Sequence, residues 1–342
     1  MLPRTIDSEQ QLEDLLSEPT DAVVATLARW PGDIVVLGAA GKMGPSLARM
    51  AKRASDAAGS RRRVVAVSRF ESGNVQWFQD HGIETIACDL LDEQQVRRLP
   101  DAANVFYLAG RKFGSTGNES LTWAMNTYLP ALVCRRYANS RIVAFSTGNV
   151  YPMTAVSSRG SSETDLPQPV GEYAMSCLGR ERMFEYFSRQ QGTRAAIVRL
   201  NYACDLRYGV LVDLACKVWA GEPIDLNMGY FNTIWQGDAN AMAIRALDHA
   251  ASPPWVINVT GLDMLSVRDV CERFARMFER PQHFTGKEST TALLSDARRS
   301  FELFGPARVD SAQLIEWVAG WVSRGGRTLN KPTHFEARDG KF

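Results

Sequence analysis

A short apolar run followed by three spaced glycines constrains the fold of this chain more than any other feature. Residues 33–37 read Asp-Ile-Val-Val-Leu, as expected of a buried parallel strand, and Gly38, Gly41 and Gly44 follow. Pro45 then opens a segment rich in helix-forming residues. Glycines let the backbone approach a phosphate closely, and the N-terminus of a helix favours its negative charge. The segment therefore predicts a dinucleotide site between a strand and a helix.

Apolar strands alternate with helices along the rest of the first two hundred residues. Further strands are predicted at 63–67, 83–88, 104–109, 141–145 and 194–200, and helices at 75–82, 93–99, 120–139 and 172–191. This alternation specifies a parallel sheet with helices on both faces. The predicted fold class is α/β, a Rossmann-type doubly wound parallel sheet with a smaller C-terminal substrate lobe.

Four segments are predicted along the chain. Residues 1–32 form an N-terminal helical extension, 33–203 the dinucleotide-binding domain, 204–325 most of a substrate-binding lobe, and 326–342 an extended tail. Within the lobe, helices are expected at 209–220, 237–250 and 266–279, a loop at 221–233, and a strand at 255–260 that returns to the main sheet.

Composition excludes several classes of function. Lys and Arg number 39 against 38 Asp and Glu, which argues against bulk binding of nucleic acid or of an anionic membrane. Six cysteines without paired spacing and four unclustered histidines predict free thiols and no metal site. The sequence has neither a long apolar span nor a signal-peptide pattern, so a cytoplasmic protein is expected.

Five motifs follow one another in an order typical of one enzyme family. They are the glycine loop, Cys88-Asp89-Leu90 after the third strand, Leu108-Ala109-Gly110 after the fourth, Ser146-Thr147 ending the fifth, and Tyr173-x-x-x-Cys177 in a helix. In this order they resemble the extended short-chain dehydrogenase/reductase family, in its NAD-dependent epimerase/dehydratase branch. The resemblance covers roughly residues 33–325.

The resemblance implies a nicotinamide dinucleotide bound at the ends of the strands. The residues that it implies in cofactor binding are Gly38, Gly41, Lys42, Met43, Gly44, Ser68, Arg69, Asp89, Leu90, Leu108, Ala109, Gly110 and Tyr173. An acidic residue at the end of the second strand would select NAD, but Ser68-Arg69 stands there. Arg69 could pair with a 2′-phosphate, and Lys42 could add to its positive field, so NADP is favoured over NAD. The alternative is an exposed Arg69 and a site that accepts either cofactor.

The resemblance also implies the catalytic groups. Tyr173 would exchange a proton with the substrate while hydride moves to or from nicotinamide, Thr147 would hydrogen-bond the reacting oxygen, and Asn126 would help relay protons. A lysine normally lies one turn after the tyrosine, but Cys177 occupies that position and carries no positive charge. Lys112 is the best-placed substitute, unless it is a solvated loop residue. Three readings stay open: another cation substitutes, the tyrosine acts only as a neutral acid, or the site binds cofactor without turnover.

The predicted substrate lobe differs at one position from the family members that act on nucleotide sugars. Phe231 stands where those members carry an arginine that grips a diphosphate, and a phenyl ring cannot neutralise that charge. Asn201, Asn232 and Trp235 are the candidate contacts to a smaller substrate, although Trp235 would equally suit a buried core.

Three functions therefore remain as hypotheses. The first is an NAD(P)-dependent oxidoreductase or epimerase acting on a small sugar, sugar acid or polyol. The alternatives are a catalytically degenerate cofactor-binding sensor and a nucleotide-sugar epimerase or dehydratase.

A homodimer is also expected, because family members often pair through helices matching 120–139 and 172–190. The apolar positions compatible with that interface are Trp123, Leu129, Leu132, Met183, Phe184 and Phe187. The same positions would also suit packing on the sheet.

Overall fold

A seven-stranded parallel sheet forms the centre of the molecule. The computed structural model describes residues 2–71 and 73–341, so Met1 and Phe342, at the ends of the predicted extension and tail, lie outside the described residues. The strands are β1 (Ile34–Leu37), β2 (Val64–Ser68), β3 (Glu84–Ala87), β4 (Asn104–Tyr107), β5 (Arg141–Thr147), β6 (Arg194–Leu200) and β7 (Trp255–Val259). Their order is β7-β6-β5-β4-β1-β2-β3, which confirms the predicted fold class.

The apolar composition of the strands follows from their place in the sheet. Every residue of β1 and β4 is buried, because both lie inside the sheet with helices on each face. Ile34 pairs with Val64 on one side and with Asn104 on the other. At the edge, β3 is only partly buried. Because β5, β4 and β1 are parallel neighbours, their carboxyl ends lie side by side at one edge of the sheet.

Helices cover both faces of the sheet and build the lobe. They are α1 (Glu9–Leu16), α2 (Asp21–Arg29), α3 (Gly44–Ala57), α4 (Val75–Asp80), α5 (Glu93–Arg97), α6 (Glu119–Trp123), α7 (Leu129–Arg136), α8 (Gly171–Gln191), α9 (Val210–Ala220), α10 (Gln236–Arg245), α11 (Val267–Phe278), α12 (Arg298–Phe304) and α13 (Ser311–Ser323). The single helix expected at 120–139 is a composite, since a π-helical turn, Ala124–Tyr128, joins α6 to α7.

The lobe contains more strands and helices than the sequence predicted. Four pairs of short strands are Thr154–Ala155 with Thr291–Ala292, Ala203–Cys204 with Ile234–Trp235, Pro223–Asp225 with His283–Thr285, and Tyr230–Phe231 with Leu265–Ser266. The expected loop at 221–233 is therefore partly stranded, and α12 and α13 were not expected. The apolar face of α13 packs into the same core as α9 and α11.

The two N-terminal helices connect both parts of the molecule. Leu12 and Leu16 are fully buried in the core of the lobe, whereas Val23 and Leu27 pack on the sheet side. Asp248 anchors α2, because its carboxylate accepts hydrogen bonds from the Thr26 hydroxyl at 2.8 Å and from the Trp30 indole N–H at 2.7 Å.

Half of the expected dimer positions are buried inside a single chain. Leu129, Leu132 and Phe184 are at most 2% exposed and pack against the sheet, which is the alternative given for these positions, and the homodimer stays a prediction. Trp123, at 38% exposed, stays on the surface.

Within residues 2–71 and 73–341, no helix has both the length and the apolar character needed to cross a membrane. The same residues contain no group of three or more His, Cys, Asp or Glu placed to hold a metal ion. All six cysteines are free thiols.

Candidate active site

The glycine loop has the geometry that a bound pyrophosphate requires. Gly38 has a φ of +81°, and a Cβ there would lie 2.6 Å from the backbone nitrogen of Ala109. At Gly44, a Cβ would collide with the carbonyl group of Ala39. No side chain caps α3 at its N-cap Met43, so the loop leaves the first N–H groups of this helix for a ligand. The residues present therefore fit a dinucleotide phosphate.

The other cofactor candidates lie along the same edge of the sheet. Ser68 ends β2, and Arg69 forms a 3.4 Å ion pair with Glu71, with both side chains more than half exposed. Asp89 follows β3 and accepts a hydrogen bond from the backbone N–H of Leu91 at 3.0 Å. Leu108, Ala109 and Gly110 follow β4 next to the glycine loop.

Three of the expected catalytic residues come together where β5 ends against the start of α8. The phenol of Tyr173 hydrogen-bonds to the side chains of Thr147 and Cys177. Cys177 is fully buried and packs with Val150 and Tyr151. The hydroxyl of Thr147 accepts a hydrogen bond at 3.2 Å from the backbone N–H of Asn149, in the 3-10 turn that follows β5.

An arginine occupies the region where the charge of the missing lysine is expected. Arg180 lies one turn beyond Cys177 on α8 and is 6% exposed. It donates hydrogen bonds to the carbonyl oxygen of Phe145 and to Asn126 Oδ1, both at 2.8 Å. The sequence interpretation missed Arg180, although residues 173, 177 and 180 share one face of a helix and the spacing was available as a signal.

Asn126 hydrogen-bonds to Arg180 and to the neighbouring backbone and side chains. Its Oδ1 also accepts a hydrogen bond from the backbone N–H of Arg111 at 2.8 Å, and its Nδ2 donates to the Arg111 carbonyl and to Ser176 Oγ, both at 2.9 Å. The side chain is fully buried in the π-helical turn. Asn126 therefore positions Arg180 and α8, and its expected part in proton relay stays a prediction.

Lys112 supplies a second positive charge. Its Nζ lies 5.8 Å from the ring centroid of Tyr173 and donates a hydrogen bond to the carbonyl oxygen of Thr333 at 3.0 Å. Loss of solvation lowers the pKa of Lys112 to about 8. The lysine is therefore half-buried and hydrogen-bonded to the tail, which disfavours the alternative of a solvated loop residue.

The electrostatics of the cluster keep its acidic groups protonated. Burial raises the pKa of Tyr173 above its usual value, Cys177 adds to this rise, and Arg180 and the hydrogen bond to Thr147 oppose it. Burial also raises the pKa of the Cys177 thiol. Near neutral pH, Tyr173 is therefore a neutral phenol and Cys177 a neutral thiol.

A buried ion pair supports the floor of the site. Arg199 on β6 and Glu181 on α8 are joined at 2.7 Å, with side-chain exposures of 7% and 5%. Glu181 also accepts a hydrogen bond from Ser146 Oγ at 2.5 Å, and Arg199 donates to the Tyr151 hydroxyl at 2.7 Å. Tyr151 in turn donates to Asn258 Oδ1 at 2.9 Å. The network connects α8 to β5, β6 and β7, and it includes Tyr151, which belongs to the cluster that Tyr173 packs against.

The expected substrate residues divide into two groups. Asn201 Nδ2 donates to Asn232 Oδ1 at 2.9 Å, and Asn232 Nδ2 donates to the Ser295 carbonyl at 2.7 Å, so this buried pair joins β6 to the lobe. Trp235 is 3% exposed and packs edge-on against Trp317 at 5.4 Å. Trp235 therefore packs in the core of the lobe, which is the alternative that the sequence left open for it.

Restoring the family lysine tests whether the site is adapted to cysteine. Because Cys177 has no exposed surface and Arg180 already lies beside it, we expect Cys177→Lys to lower the free energy of unfolding by about 1–3 kcal/mol from overpacking and not to raise turnover. Urea denaturation and initial rates measure both effects. Cys177→Ala is the control that adds neither volume nor charge. A more active Cys177→Lys protein would show that the site has lost its catalytic lysine and is not adapted to cysteine.

The fold and this site define an α/β enzyme of the dinucleotide-binding Rossmann class. Residues 34–204, half of the chain, match the family model described as the NAD dependent epimerase/dehydratase family. The chain belongs to that family, which confirms the resemblance inferred from its motifs and supports an enzyme of this kind that binds a nicotinamide dinucleotide.

Solved structures with this fold include several sugar-nucleotide epimerases. The UDP-glucuronic acid 4-epimerase of Bacillus cereus, in complex with NAD, is 18% identical with a TM-score of 0.72, over 85% of this chain and 96% of that one. The UDP-glucose 4-epimerase of Thermotoga maritima is 16% identical with a TM-score of 0.70, over 86% and 99%. The UDP-Glc/GlcNAc 4-epimerase of Campylobacter jejuni is 19% identical with a TM-score of 0.70, over 86% and 100%. Identities this low show the fold alone. No curated protein sequence matches the chain.

Proposed function

We propose that this protein is an NAD(P)-dependent oxidoreductase or epimerase acting on a small sugar, sugar acid or polyol. The observation that carries the proposal is the contact of Tyr173 with Thr147 beside two enclosed cations, Arg180 and Lys112. These cations supply the positive charge that the absent lysine would bring, so the loss of that lysine does not remove the means of catalysis.

Each residue has a defined part in this proposal. The Tyr173 phenol keeps its proton near neutral pH, so it serves as the acid that protonates the oxygen of a carbonyl substrate. Thr147 hydrogen-bonds the same oxygen and orients it. Arg180 stabilises the phenolate that remains after the proton leaves. The bound dinucleotide supplies hydride chemistry at its nicotinamide ring.

The substrate is proposed to be smaller than a nucleotide sugar. The named neighbours act on UDP-linked sugars, but Phe231 is fully buried here and packs near Phe335 with ring centroids 6.0 Å apart. A phenyl ring at this position cannot neutralise a diphosphate, which disfavours the nucleotide-sugar alternative.

A direct assay separates the enzyme from a cofactor sensor. The protein is supplied with NADP(H) or NAD(H), and nicotinamide absorbance is followed against neutral sugars, polyols and sugar acids. We expect turnover on at least one member of the panel. Tight cofactor binding without a change in absorbance or in any substrate would support the sensor instead.

Cofactor choice is proposed to favour NADP through Ser68 and Arg69. Replacing Ser68 with Asp places a carboxylate at the end of β2, where it would repel a 2′-phosphate and bond a ribose hydroxyl. We expect Ser68→Asp to shift the ratio of NADP to NAD dissociation constants at least about tenfold toward NAD. Fluorescence titration with both reduced cofactors measures the ratio of dissociation constants. Ser60→Asp, which adds a carboxylate before the start of β2, is the control. An unchanged ratio would contradict NADP selection at this position.

A cytoplasmic homodimer is the assembly that we propose. The surface formed by α6, the π-helical turn and α8 exposes Trp123, Tyr128 and Tyr186 at 38%, 50% and 54%. Aromatic side chains are enriched at protein interfaces, and these three lie on the helices through which family members pair.

A further inference from the structure

The described part of the C-terminal tail, residues 326–341, is anchored to the lobe. Thr333 donates two hydrogen bonds to Asp213 on α9, from its backbone N–H at 2.7 Å and from its hydroxyl at 2.6 Å. Phe335 is 3% exposed in the core of the lobe, where its ring centroid lies 6.0 Å from that of Phe231. The tail therefore follows a fixed path, although these residues form no helix or strand.

The end of the tail contacts the first residues of α8. Arg338 donates hydrogen bonds to the carbonyl oxygen of Thr291 at 2.8 Å and to its hydroxyl at 2.6 Å. Two residues later, Gly340 has a φ of +72° and lies against Val170 and Gly171. A Cβ on Gly340 would overlap the Val170 carbonyl group, and a Cβ on Gly171 would overlap the Gly340 carbonyl group. The two backbone segments are therefore in direct contact.

The tail also contacts the loop that follows β4. The carbonyl oxygen of Thr333 accepts a hydrogen bond from Lys112 Nζ at 3.0 Å. The ring of Phe113, the next residue, lies 6.2 Å from the ring of His334 and 4.2 Å from the Nζ of Lys42 in the glycine loop. Adjacent residues of the tail are thus joined to a loop that packs against the glycine loop.

Both contacts lie close to Tyr173. Gly171 is two residues before Tyr173 on α8, and Lys112 Nζ lies 5.8 Å from the ring centroid of Tyr173. Because residues of one helical turn are linked by the backbone, a displacement at Gly171 also displaces Tyr173. The phenol hydrogen-bonds to Thr147, so such a displacement would disturb the pair that is proposed to hold the reacting oxygen.

We propose that Gly340 and Thr333 are positioning residues, through which the tail holds the first turn of α8 and Lys112 where Tyr173 can transfer a proton to the substrate. This inference rests on the proposed function. It adds a segment outside residues 34–204, which the family model matches. In this role the tail acts through Gly171 and Lys112 and takes no chemical part in the reaction.

Two glycine variants separate this role from a general effect on stability. Gly340 and Gly325 have nearly the same φ, +72° and +71°, so alanine introduces similar backbone strain at both. A Cβ at Gly325 meets nothing within 4 Å, whereas a Cβ at Gly340 overlaps the Val170 carbonyl group. Gly340→Ala therefore breaks the contact with α8, and Gly325→Ala is its matched control.

Steady-state kinetics on the full chain measure the effect on Tyr173. We expect Gly340→Ala to lower kcat about ten- to one-hundred-fold, because a small misplacement of a catalytic group has an effect of this size. The KM of the substrate and the cofactor dissociation constant should change less than about twofold. Gly325→Ala should keep the wild-type kcat, and urea denaturation checks that both variants are folded.

Hydrogen exchange followed by mass spectrometry tests the contact without requiring turnover. The backbone amides of residues 175–178 bond to the carbonyl oxygens of the first turn of α8, so they report on its order. We expect Gly340→Ala to speed their exchange about tenfold or more, and Gly325→Ala to leave it unchanged.

A second pair of variants tests the anchor at Thr333. Thr333→Val removes the hydroxyl that bonds to Asp213 and keeps the branched shape of the side chain. We expect it to lower kcat several-fold with little change in KM. Thr333→Ser keeps the hydroxyl and should restore the rate.

Two outcomes would overturn the proposal. One is a Gly340→Ala protein in which either the exchange at residues 175–178 or kcat is unchanged. The other is a loss of kcat that Gly325→Ala shares, or that an equal loss of cofactor affinity accompanies. Faster exchange at residues 175–178 in a chain that turns over no substrate would support the hold of the tail on α8 and count against the proposed reaction, so the two failures are distinguishable.

Discussion

Replacing Tyr173 with phenylalanine is expected to lower turnover by about two to four orders of magnitude. The substitution removes only the phenol oxygen, which contacts Thr147 and Cys177, and leaves the ring packed against Val150 and Tyr151. Cofactor affinity and the free energy of unfolding should therefore change little. Initial rates, cofactor titration and urea denaturation measure the three quantities.

The matched control for this variant lies on the same helix. Tyr186 is 54% exposed on α8, and Tyr186→Phe should leave the rate unchanged. A Tyr173→Phe protein that keeps more than about a tenth of the wild-type rate would remove Tyr173 from proton transfer.

Replacing Arg199 with methionine is expected to cost about 3–5 kcal/mol of unfolding free energy, because it leaves the buried Glu181 carboxylate without its partner. The change also removes the hydrogen bond to Tyr151, and with it one connection between β6 and the turn after β5. Urea denaturation measures the loss. Because the network includes Tyr151, which belongs to the cluster that Tyr173 packs against, we also expect lower turnover in the variant that remains folded.

Two further variants separate this ion pair from ordinary surface pairs. The Arg97–Glu93 pair on α5 has side-chain exposures of 74% and 39%, so Arg97→Met should cost no more than about 0.5 kcal/mol. Adding Glu181→Leu to Arg199→Met should recover part of the stability, since no buried charge then remains. A loss below about 1 kcal/mol in Arg199→Met would contradict the role given to the pair.

The sequence predicted the sheet well because its strands follow a simple physical rule. Strands such as β1 and β2 are buried along nearly their whole length, so they read as continuous apolar runs, and the glycine loop marks the start of the first repeat. The lobe was harder, because two-residue strand pairs have too few residues to show a period. The helix α13 did carry a signal, with Asp310 as its N-cap and apolar residues at helical spacing, which the interpretation overlooked.

The candidate site was predictable where it depends on position along a helix and not where it depends on packing. The spacing from Tyr173 to Cys177 showed that a lysine was missing. Arg180 points inward because it bonds to Asn126 in the π-helical turn. Lys112 is half-buried because it bonds to the tail. Those contacts join residues far apart in sequence. The tail, which lacks periodicity, gave no indication that it packs against Lys112 and the start of α8.

The central proposal is that this chain transfers hydride between a nicotinamide cofactor and a small sugar, sugar acid or polyol, with Tyr173 moving the proton. The most direct measurement supplies reduced cofactor deuterated at the transferable position, together with a panel of keto sugars and keto acids, and follows deuterium in the product by mass spectrometry. We predict deuterium on the reduced carbon with wild-type protein and almost none with Tyr173→Phe. Wild-type protein that binds the cofactor yet leaves every substrate free of deuterium would contradict the account.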